Sequence, residues 1–249
     1  MRVLRTERLG RRRTCCRHSP RLLFMCAPAA SAVAPHENDM YCPEPFAEAR
    51  LDVLHELIRA HPLGTLVTVQ GDALEADHIP FVLDADRGIN GTLRGHVARA
   101  NPVSRRLGEV LVVFQGPQSY ISPSWYPSKH QDGRVVPTWN YAVVHAHGTA
   151  RAIDDADWLL GLVTELTGIH EAAQTTPWKV SDAPREYTER MLRQIVGIEI
   201  PIGRLQGKWK VSQNRSPTDR RGVVEGLQSA STERHAAMAR LVRERDGAA

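Results

Sequence analysis

Apolar residues between positions 43 and 62 recur at the spacing of one face of an α-helix. The stripe consists of Phe46, Leu51, Leu54, Leu57 and Ile58. His61-Pro62 ends the predicted helix, because proline cannot continue it. After this point the pattern changes to extended segments that are separated by short polar turns such as Gly71-Asp72.

The extended segments predict six strands. They cover residues 65–70, 74–83, 91–97, 109–115, 138–153 and 198–202. The 109–115 segment is continuously apolar, so we expect it to be buried on both faces. Pro80 marks an irregularity in the second strand, because proline cannot donate a ladder hydrogen bond.

Four further helices are predicted between and after the strands. Asn101 as N-cap and Pro102 at the first helical position are typical of a short helix over 102–107. Asp154 and Asp155 can cap the next helix. The remaining two cover 184–196, opened by Ser181 or Asp182, and 231–245.

This order of elements favours a mainly β or α+β fold, a small closed or split β-barrel, over a doubly wound sheet. Antiparallel-looking strands are joined by short turns, and helices stand before them, after them and in one crossover. The sequence has no internal repeat and no glycine-rich turn of the dinucleotide or P-loop type. A classical nucleotide-binding fold is therefore not expected.

The net charge of +4 and the isoelectric point near 9.0 raise the question of a nucleic acid or an anionic membrane as partner. Eight of the 32 basic residues, but only three of the 28 acidic ones, lie in residues 1–39. The other 210 residues carry 24 basic and 25 acidic side chains. The basic character of the whole chain thus says little about the partners of its body.

The four cysteines, Cys15, Cys16, Cys26 and Cys42, lie in or just after the same segment. A disulfide scaffold, a cysteine zinc site and a cysteine nucleophile are therefore excluded for the body after Cys42.

Residues 1–39 are expected to be a disordered tail or an extension outside the native chain, which would then begin at Met40. The alternative is an export signal, because a short apolar stretch over 22–34 ends in alanine-rich dipeptides. Three prolines interrupt that stretch, and it is too short to span a bilayer. We expect a body over 40–227, a helical tail over 228–249 and a cytoplasmic location.

Aromatic residues are concentrated in one loop-rich region. Five of the ten Trp and Tyr residues are Tyr120, Trp125, Tyr126, Trp139 and Tyr141. Such a cluster can form a stacking platform for a flat ring, or it can cover the open ends of the barrel.

Histidines and cations supply the other candidate chemistry. His145 and His147 face the same side of a strand, but a metal site needs a third ligand, and His78 and His96 lie on other strands. A hydrogen-bonded structural role is the commoner one, and we predict no metal. Anions could bind where a strand ends and a helix begins, at His96, Arg99 and Asn101, or at Lys129 and the basic 208–221 segment. No catalytic triad or carboxylate pair can be assigned from the spacing.

Seven motifs resemble the PaiB family of FMN-binding negative transcriptional regulators, in the family's order from about Met40 to Leu227. They are Met40-Tyr41-Cys42-Pro43, Asp77-His78-Ile79-Pro80-Phe81, Gly95-His96-Val97-Ala98-Arg99-Ala100-Asn101-Pro102, Phe114-Gln115-Gly116-Pro117, the segment from Tyr120 to Lys129, Val136-Pro137-Thr138-Trp139-Asn140-Tyr141 and the segment from Gly207 to Arg215. The resemblance implies the FMN-binding split barrel that pyridoxamine phosphate oxidases and flavin reductases also use, as a homodimer with flavin between the subunits.

The resemblance also implies candidate contacts to FMN. His96, Arg99 and Asn101 resemble the turn that contacts the flavin phosphate, and His78 would lie beside the ring. The ring or the subunit interface would be lined by Ser122, Trp125, Tyr126, Lys129, Thr138, Trp139 and Asn140, and the site would be closed by Gln213 and Asn214.

The function implied by the family name is repression of transcription. Direct DNA binding is not supported by the near-neutral charge of the body. The alternatives are an FMN-dependent reductase or oxidase and a haem-degrading enzyme, for which His96, His145 and His147 would be the candidate haem ligands. A flavin-binding dimer without either activity is a third possibility, since a fold does not fix a function.

Overall fold

The computed structural model describes residues 40–230 and 232–246. The expectations for residues 1–39 lie outside the described residues. The strands are β1 (Ala47–Glu48), β2 (Leu63–Gln70), β3 (Ala73–Pro80), β4 (Val82–Asp84), β5 (Thr92–Ala98), β6 (Glu109–Ile121), β7 (Thr138–Thr149), β8 (Arg151–Ile153) and β9 (Ile195–Lys210). The α-helices are α1 (Leu51–Ala60), α2 (Lys129–Asp132), α3 (Ala156–Glu171), α4 (Arg185–Leu192), α5 (Pro217–Ser229) and α6 (Glu233–Asp246).

The strands form one antiparallel sheet in the order β3-β2-β6-β7-β9-β5-β4, and β1 and β8 also pair with β9. Only Phe81 separates β3 from β4, so the two ends of the sheet are consecutive in the chain. The sheet therefore curls until its ends meet, and a Cβ on Gly95 of β5 would lie 3.0 Å from Ile79 of β3. Among the described strands, no ladder joins β3 to β5, so the barrel stays open there. The predicted split barrel with flanking helices is confirmed.

The core fills the inside of this barrel. Its side chains alternate along the strands, as on Leu66 of β2, Val112 and Phe114 of β6 and Val144 of β7. Leu54 and Ile58 of α1, Val223 and Leu227 of α5 and Met238 and Val242 of α6 close the core.

Two predictions about strands are wrong. The 109–115 segment is not buried on both faces, because Leu111 and Val113 are only half-buried while Val110 and Val112 face the core. The last strand is much longer than 198–202, since β9 extends to Lys210 and pairs with β7 over its second half.

The observed helix boundaries differ from the predicted ones where proline or local hydrogen bonds interrupt the helix. Residues 44–46 form a 3-10 turn, so α1 begins at Leu51 rather than at 43. Neither Ser181 nor Asp182 opens α4, because the Asp182 carboxylate accepts from the Lys179 backbone N–H at 2.9 Å. The predicted caps Asn101 and Asp155 are confirmed, and their side chains accept from Val103 and Trp158. Of the described helices, none combines the length and the hydropathy that a membrane crossing needs.

Candidate functional site

One face of β2, β6, β7 and β9 points away from the core. Residues that pair across these strands share a face, so Val113, His145 and Gln206 lie side by side on it. The next row contains Leu111, His147 and Arg204. These side chains are half-buried in the described part of the chain, although they do not face the core. A surface of this kind can accept a ligand or another protein surface.

Aromatic side chains and lysines meet at one end of this surface. We call the group of Tyr120, Trp139, Tyr141, Lys208 and Lys210 the lysine–aromatic face. The rings of Tyr120 and Trp139 are 6.2 Å apart in an edge-to-face arrangement, and Tyr141 pairs with Lys210 across β7 and β9. The Lys208 ammonium lies 5.6 Å from the centre of the Tyr141 ring.

The two lysines of this face have no carboxylate partner among the described residues. Lys208 is 8% exposed, and its Nζ donates to the Tyr41 carbonyl at 2.6 Å. Lys210 donates to the Thr138 hydroxyl and, at 2.9 Å, to the Trp139 carbonyl. Burial, followed by repulsion from Lys208 and Arg215, lowers the pKa of Lys210. A bound anion would relieve this repulsion.

His145 and His147 lie on the same outer surface, with their ring centres 6.4 Å apart. His147 Nε2 is 3.3 Å from the Gln206 side-chain oxygen. Burial, followed by repulsion from His147, Lys208 and Arg204, lowers the pKa of His145. Within residues 40–230 and 232–246, no group of three metal-ligating side chains forms around them.

Arg99 lies at the end of β5, where the sequence predicts a phosphate contact. Its guanidinium forms a two-pronged ion pair with Asp154, with N–O distances of 2.6 and 2.8 Å. It also donates to the carbonyls of Arg193 and Ile195, at 2.8 and 2.9 Å. A phosphate at Arg99 would have to compete with Asp154.

His96 and Asn101 lie close to Arg99 in the chain but have different surroundings. His96 pairs with Gly197 under the Trp158 ring of α3. Its Nδ1 is buried and has no hydrogen-bond partner among the described residues, and burial lowers the pKa of His96. The Asn101 side chain donates to Asp77 at 2.8 Å and accepts from the Val103 N–H, so both of its groups are engaged.

His78 is exposed on β3, in register with Thr65 of β2 and, through it, with Val113 and His145. It therefore shares the outer surface, about 14 Å from His145 across three strand spacings. It lies toward the opposite edge of the sheet from Lys208 and Lys210.

The 122–129 segment packs mostly against α5. The Trp125 ring covers Gly226, and Tyr126 is 1% exposed beneath the Arg215 guanidinium, which lies 4.8 Å from its ring centre. Burial raises the pKa of Tyr126 despite the opposing effect of Arg215. The Ser122 hydroxyl accepts from the Ser124 N–H, whereas Lys129 is exposed. For Trp125 and Tyr126, this packing favours the role of covering the barrel over that of a stacking platform.

The remaining predicted residues fall into two groups. Thr138 and Trp139 belong to the surroundings of Lys210, and the Trp139 indole donates to Gln118 at 3.1 Å. Asn140 is buried on the opposite side of the strand and donates to Ser212 at 2.8 Å, which helps to hold Ser212 at its left-handed φ of 70°. Gln213 bonds to the backbone of Trp209 and Val211, and Asn214 is exposed.

The structure therefore brings Thr138 and Trp139 together with Lys208 and Lys210, but it does not bring Arg99, Trp125 or Asn140 to the same place. The sequence analysis missed Gln206, and it named Tyr41 only as part of a family motif. The signal for Gln206 lay in the alternation of polar residues at 204, 206, 208 and 210 on one face of an extended segment.

Comparison with known proteins identifies the family of this chain. A family model described as "Putative FMN-binding domain" matches residues 40–204. Uncharacterized protein AN0679 of Emericella nidulans is 39% identical over 244 residues, covering 83% of this chain and 97% of that one. Protease synthase and sporulation protein PAI 2 of Bacillus subtilis is 32% identical over 209 residues, covering 83% of this chain and 98% of that one.

Among solved structures, the FAD and heme binding protein of Mycobacterium smegmatis has a TM-score of 0.47 and 17% identity, covering 65% of this chain and 71% of that one. The family model matches most of the described residues. The family is therefore assigned from this match and not from the structural similarity. The chain belongs to the PaiB family and carries its FMN-binding domain.

Proposed function

We propose that this protein binds FMN at the lysine–aromatic face. The observation that supports this is the pair of lysines without carboxylate partners beside Trp139 and Tyr141, on a surface that is half-buried but not part of the core. FMN joins a dianionic phosphate to a flat amphipathic ring, so it needs cations at one end and aromatic or apolar surface at the other. The donor set fits FMN, which when bound would supply reversible electron or hydride transfer.

Lys208 and Lys210 are better suited to the phosphate than Arg99. Their repulsion makes an anion favourable, whereas the charge of Arg99 is already balanced by Asp154. Arg99 is the second candidate, because its position in the sequence resembles the phosphate turn of the family.

We infer that the site is completed by a second copy of the chain. Val113, Leu111 and Val67 are apolar and half-buried on the same outer surface, beside His145 and His147. Two such surfaces packed together would exclude water from these side chains and enclose a flavin ring between them.

Quenching of FMN fluorescence during titration tests the cofactor proposal, and riboflavin, which has the same ring without the phosphate, is the matched ligand. Lys210→Gln is expected to weaken FMN binding about tenfold, because a charge-assisted contact is lost, and to leave riboflavin affinity within about twofold. Arg59→Gln, at an exposed cation of α1, is the control.

Two outcomes would overturn this assignment. If Arg99→Gln rather than Lys210→Gln removes the preference for FMN over riboflavin, the phosphate lies at the end of β5. If the folded wild-type protein binds neither ligand at micromolar concentrations, the flavin proposal fails.

The proposal of a regulatory role rests on membership of the PaiB family. We propose that the protein acts as a PaiB-type negative regulator, and an electrophoretic shift with its own upstream DNA tests it. Direct binding must weaken steeply as salt rises, because phosphate contacts release counterions. A shift that is absent or insensitive to salt contradicts direct DNA binding. The cytoplasmic location stays a prediction.

An FMN-dependent oxidoreductase is the second candidate, and one observation favours it. Trp139 and Tyr120 are 44% and 47% exposed, so a ring bound beside them would remain open to a second reactant in a single copy of the chain. Bleaching of the bound FMN by NADH or NADPH in the absence of oxygen would support this activity. A flavin that stays oxidised with both would argue against a reductase that uses them.

A further inference from the structure

A cavity of about 1050 Å³ lies between α3, α4 and the segment that joins them. Leu159 and Leu192 line it as buried side chains, while Leu160 and Trp178 are 40% and 48% exposed. None of the described residues that line it belongs to the lysine–aromatic face. Cavities of about this size hold drug-sized organic molecules, and they are usually apolar with a few polar groups.

The wall that α3 contributes leaves open space at Gly168. This glycine follows Leu160 and Thr164 at helical spacing, and all three line the cavity, so a side chain at position 168 would point toward it. A Cβ on Gly168 would meet nothing within 4 Å. The protein therefore does not fill this part of the cavity with its own side chains.

The segment over the cavity is fixed by two backbone hydrogen bonds to carboxylates. The Trp178 N–H donates to the Glu171 carboxylate at 3.0 Å, and the Lys179 N–H donates to the Asp182 carboxylate at 2.9 Å. Both bonds hold the backbone from which the Trp178 side chain projects. The half-exposed indole is thus presented at the cavity wall on an ordered backbone.

Positive and negative charges around the cavity are balanced. Arg99 is paired with Asp154, and Arg185 is paired with Glu189. The other charged side chains that line the cavity or bond to the segment over it are two cations and three acids: Lys179, Arg193, Asp157, Glu171 and Asp182. A charged ligand would therefore find no surplus of the opposite charge to offset its loss of hydration. Walls of this kind favour an uncharged ligand.

We propose that this cavity binds an uncharged aromatic molecule. Its ring packs against the Trp178 indole and against Leu159 and Leu160, which supply flat and apolar surface. The hydroxyl groups of Thr167 and Ser181 also belong to the lining and can form hydrogen bonds with a neutral polar substituent. The proposal does not rest on FMN binding, which concerns other residues.

Isothermal titration of the full chain with three naphthalene derivatives tests the preference for a neutral ligand. The probes are 2-naphthamide, which is uncharged, 2-naphthoate, which is an anion, and 2-naphthylmethylamine, which is a cation at neutral pH. We expect 2-naphthamide to bind about fivefold or more tightly than either charged probe, because it loses less hydration energy on entering the cavity.

Two substitutions test whether the probe lies in this cavity. Trp178→Ala is expected to weaken 2-naphthamide binding about fivefold or more, because it removes the aromatic surface. Gly168→Leu is expected to weaken it about tenfold or more, because the added side chain takes up space in the cavity.

Each substitution has a matched control on α3. Gly161→Leu adds the same side chain at a glycine where a Cβ also meets nothing within 4 Å, but Gly161 does not line the cavity. Ile169→Ala removes an exposed apolar side chain that does not line it either. Both controls are expected to bind 2-naphthamide like the wild type, and thermal unfolding of every variant checks that it is folded.

The proposal is overturned if a charged probe binds as tightly as 2-naphthamide, or if none of the three binds at millimolar concentration. It is also overturned if Trp178→Ala and Gly168→Leu leave 2-naphthamide binding unchanged. Displacement of 2-naphthamide by FMN would assign the cavity to the flavin instead. Binding of 2-naphthamide that persists in Lys210→Gln, while FMN binding is weakened, would support two separate sites.

Discussion

At Gly226, α5 comes so close to the 123–125 turn that no side chain fits between them. A Cβ at this position would lie 2.3 Å from the Trp125 ring. Gly226→Ala is therefore expected to lower the free energy of unfolding by about 1–3 kcal/mol, because the indole must move within a packed environment. Urea denaturation of the variant and the wild type measures this difference.

Gly161 on α3 is the matched control, because a Cβ there would meet nothing within 4 Å. Gly161→Ala is expected to raise the free energy of unfolding by about 0.5–1 kcal/mol, as alanine loses less backbone entropy in a helix. Equal effects of the two substitutions would show that the contact with Trp125 does not limit position 226.

His145 reports on the charge of the outer surface. Burial and the neighbouring His147, Lys208 and Arg204 lower its pKa, so we expect its titration midpoint, followed by NMR of the ring protons, to lie below 6.5. A dianionic phosphate at Lys208 and Lys210 would offset part of the repulsion and raise that midpoint. The expected result is an upward shift with FMN that riboflavin produces more weakly, and the same shift with both ligands would argue against a nearby phosphate.

Individual residues also show which contacts can be predicted from the sequence. The Asn101 cap was predictable from the adjacent Pro102, because a local hydrogen bond defines it. The partner of Arg99 was not, since Asp154 lies 55 positions later in the chain and meets Arg99 only through the fold. For the same reason, the sequence could not show whether Arg99 binds a phosphate or joins two elements of the fold.

At the scale of elements, α6 is linked to β1 by a buried carboxylate. Glu48 has a side chain that is 3% exposed, and it forms ion pairs with Arg50 and with Arg245 near the end of α6. Burial alone raises the pKa of Glu48, but the hydrogen bonds from Arg50 and Arg245 outweigh it and lower the pKa from 4.5 to about 2.

Because its folded pKa is depressed, Glu48 stabilises the fold above its unfolded pKa of 4.5, and this contribution is lost as pH falls toward about 2. We expect it to be worth about 2 kcal/mol after allowance for solvent screening at the exposed Arg50. Denaturation at about pH 6 and about pH 3 should therefore show a smaller loss of stability for Glu48→Gln than for the wild type. Glu233→Gln, on the exposed side of α6, is the control; a loss in Glu48→Gln as large as that of the wild type would contradict this role.

The elements themselves could be predicted wherever their signals are local. The strands at β2 and β5 and the cap of α3 follow from alternation and from Asp155. The length of β9 could not be predicted, because its second half is ordered by pairing with β7 and β1, and that pairing depends on the whole sheet. The helix α5 was not predicted, although Ser216 and Pro217 are a typical helix start, because the basic residues after them were interpreted as candidates for anion binding.

At the scale of the whole molecule, positive charge matters through its position. Outside residues 1–39 the chain has nearly equal numbers of acidic and basic side chains, so cations that have no carboxylate partner among the described residues mark particular surfaces. Lys208 and Lys210 mark the outer face of the sheet. Lys210 lies beside the exposed ring of Trp139. This position is the basis of the proposal that an aromatic anion binds at the outer face of the sheet.

The outer surface of the sheet also predicts the oligomeric state. Val113 is half-buried between Thr65 and His145 on this surface, and it does not face the core. We expect sedimentation velocity to give a species of about twice the 27.7 kDa chain mass, and Val113→Glu to weaken the dimer about 100-fold or more, because a charge would be buried at the interface. Ile89→Glu, at a turn residue that is 85% exposed, is the control and is expected to remain dimeric. If Val113→Glu remains a dimer, the copies meet through another face; if it becomes a monomer that still binds FMN as tightly as the wild type, the flavin does not lie between the subunits.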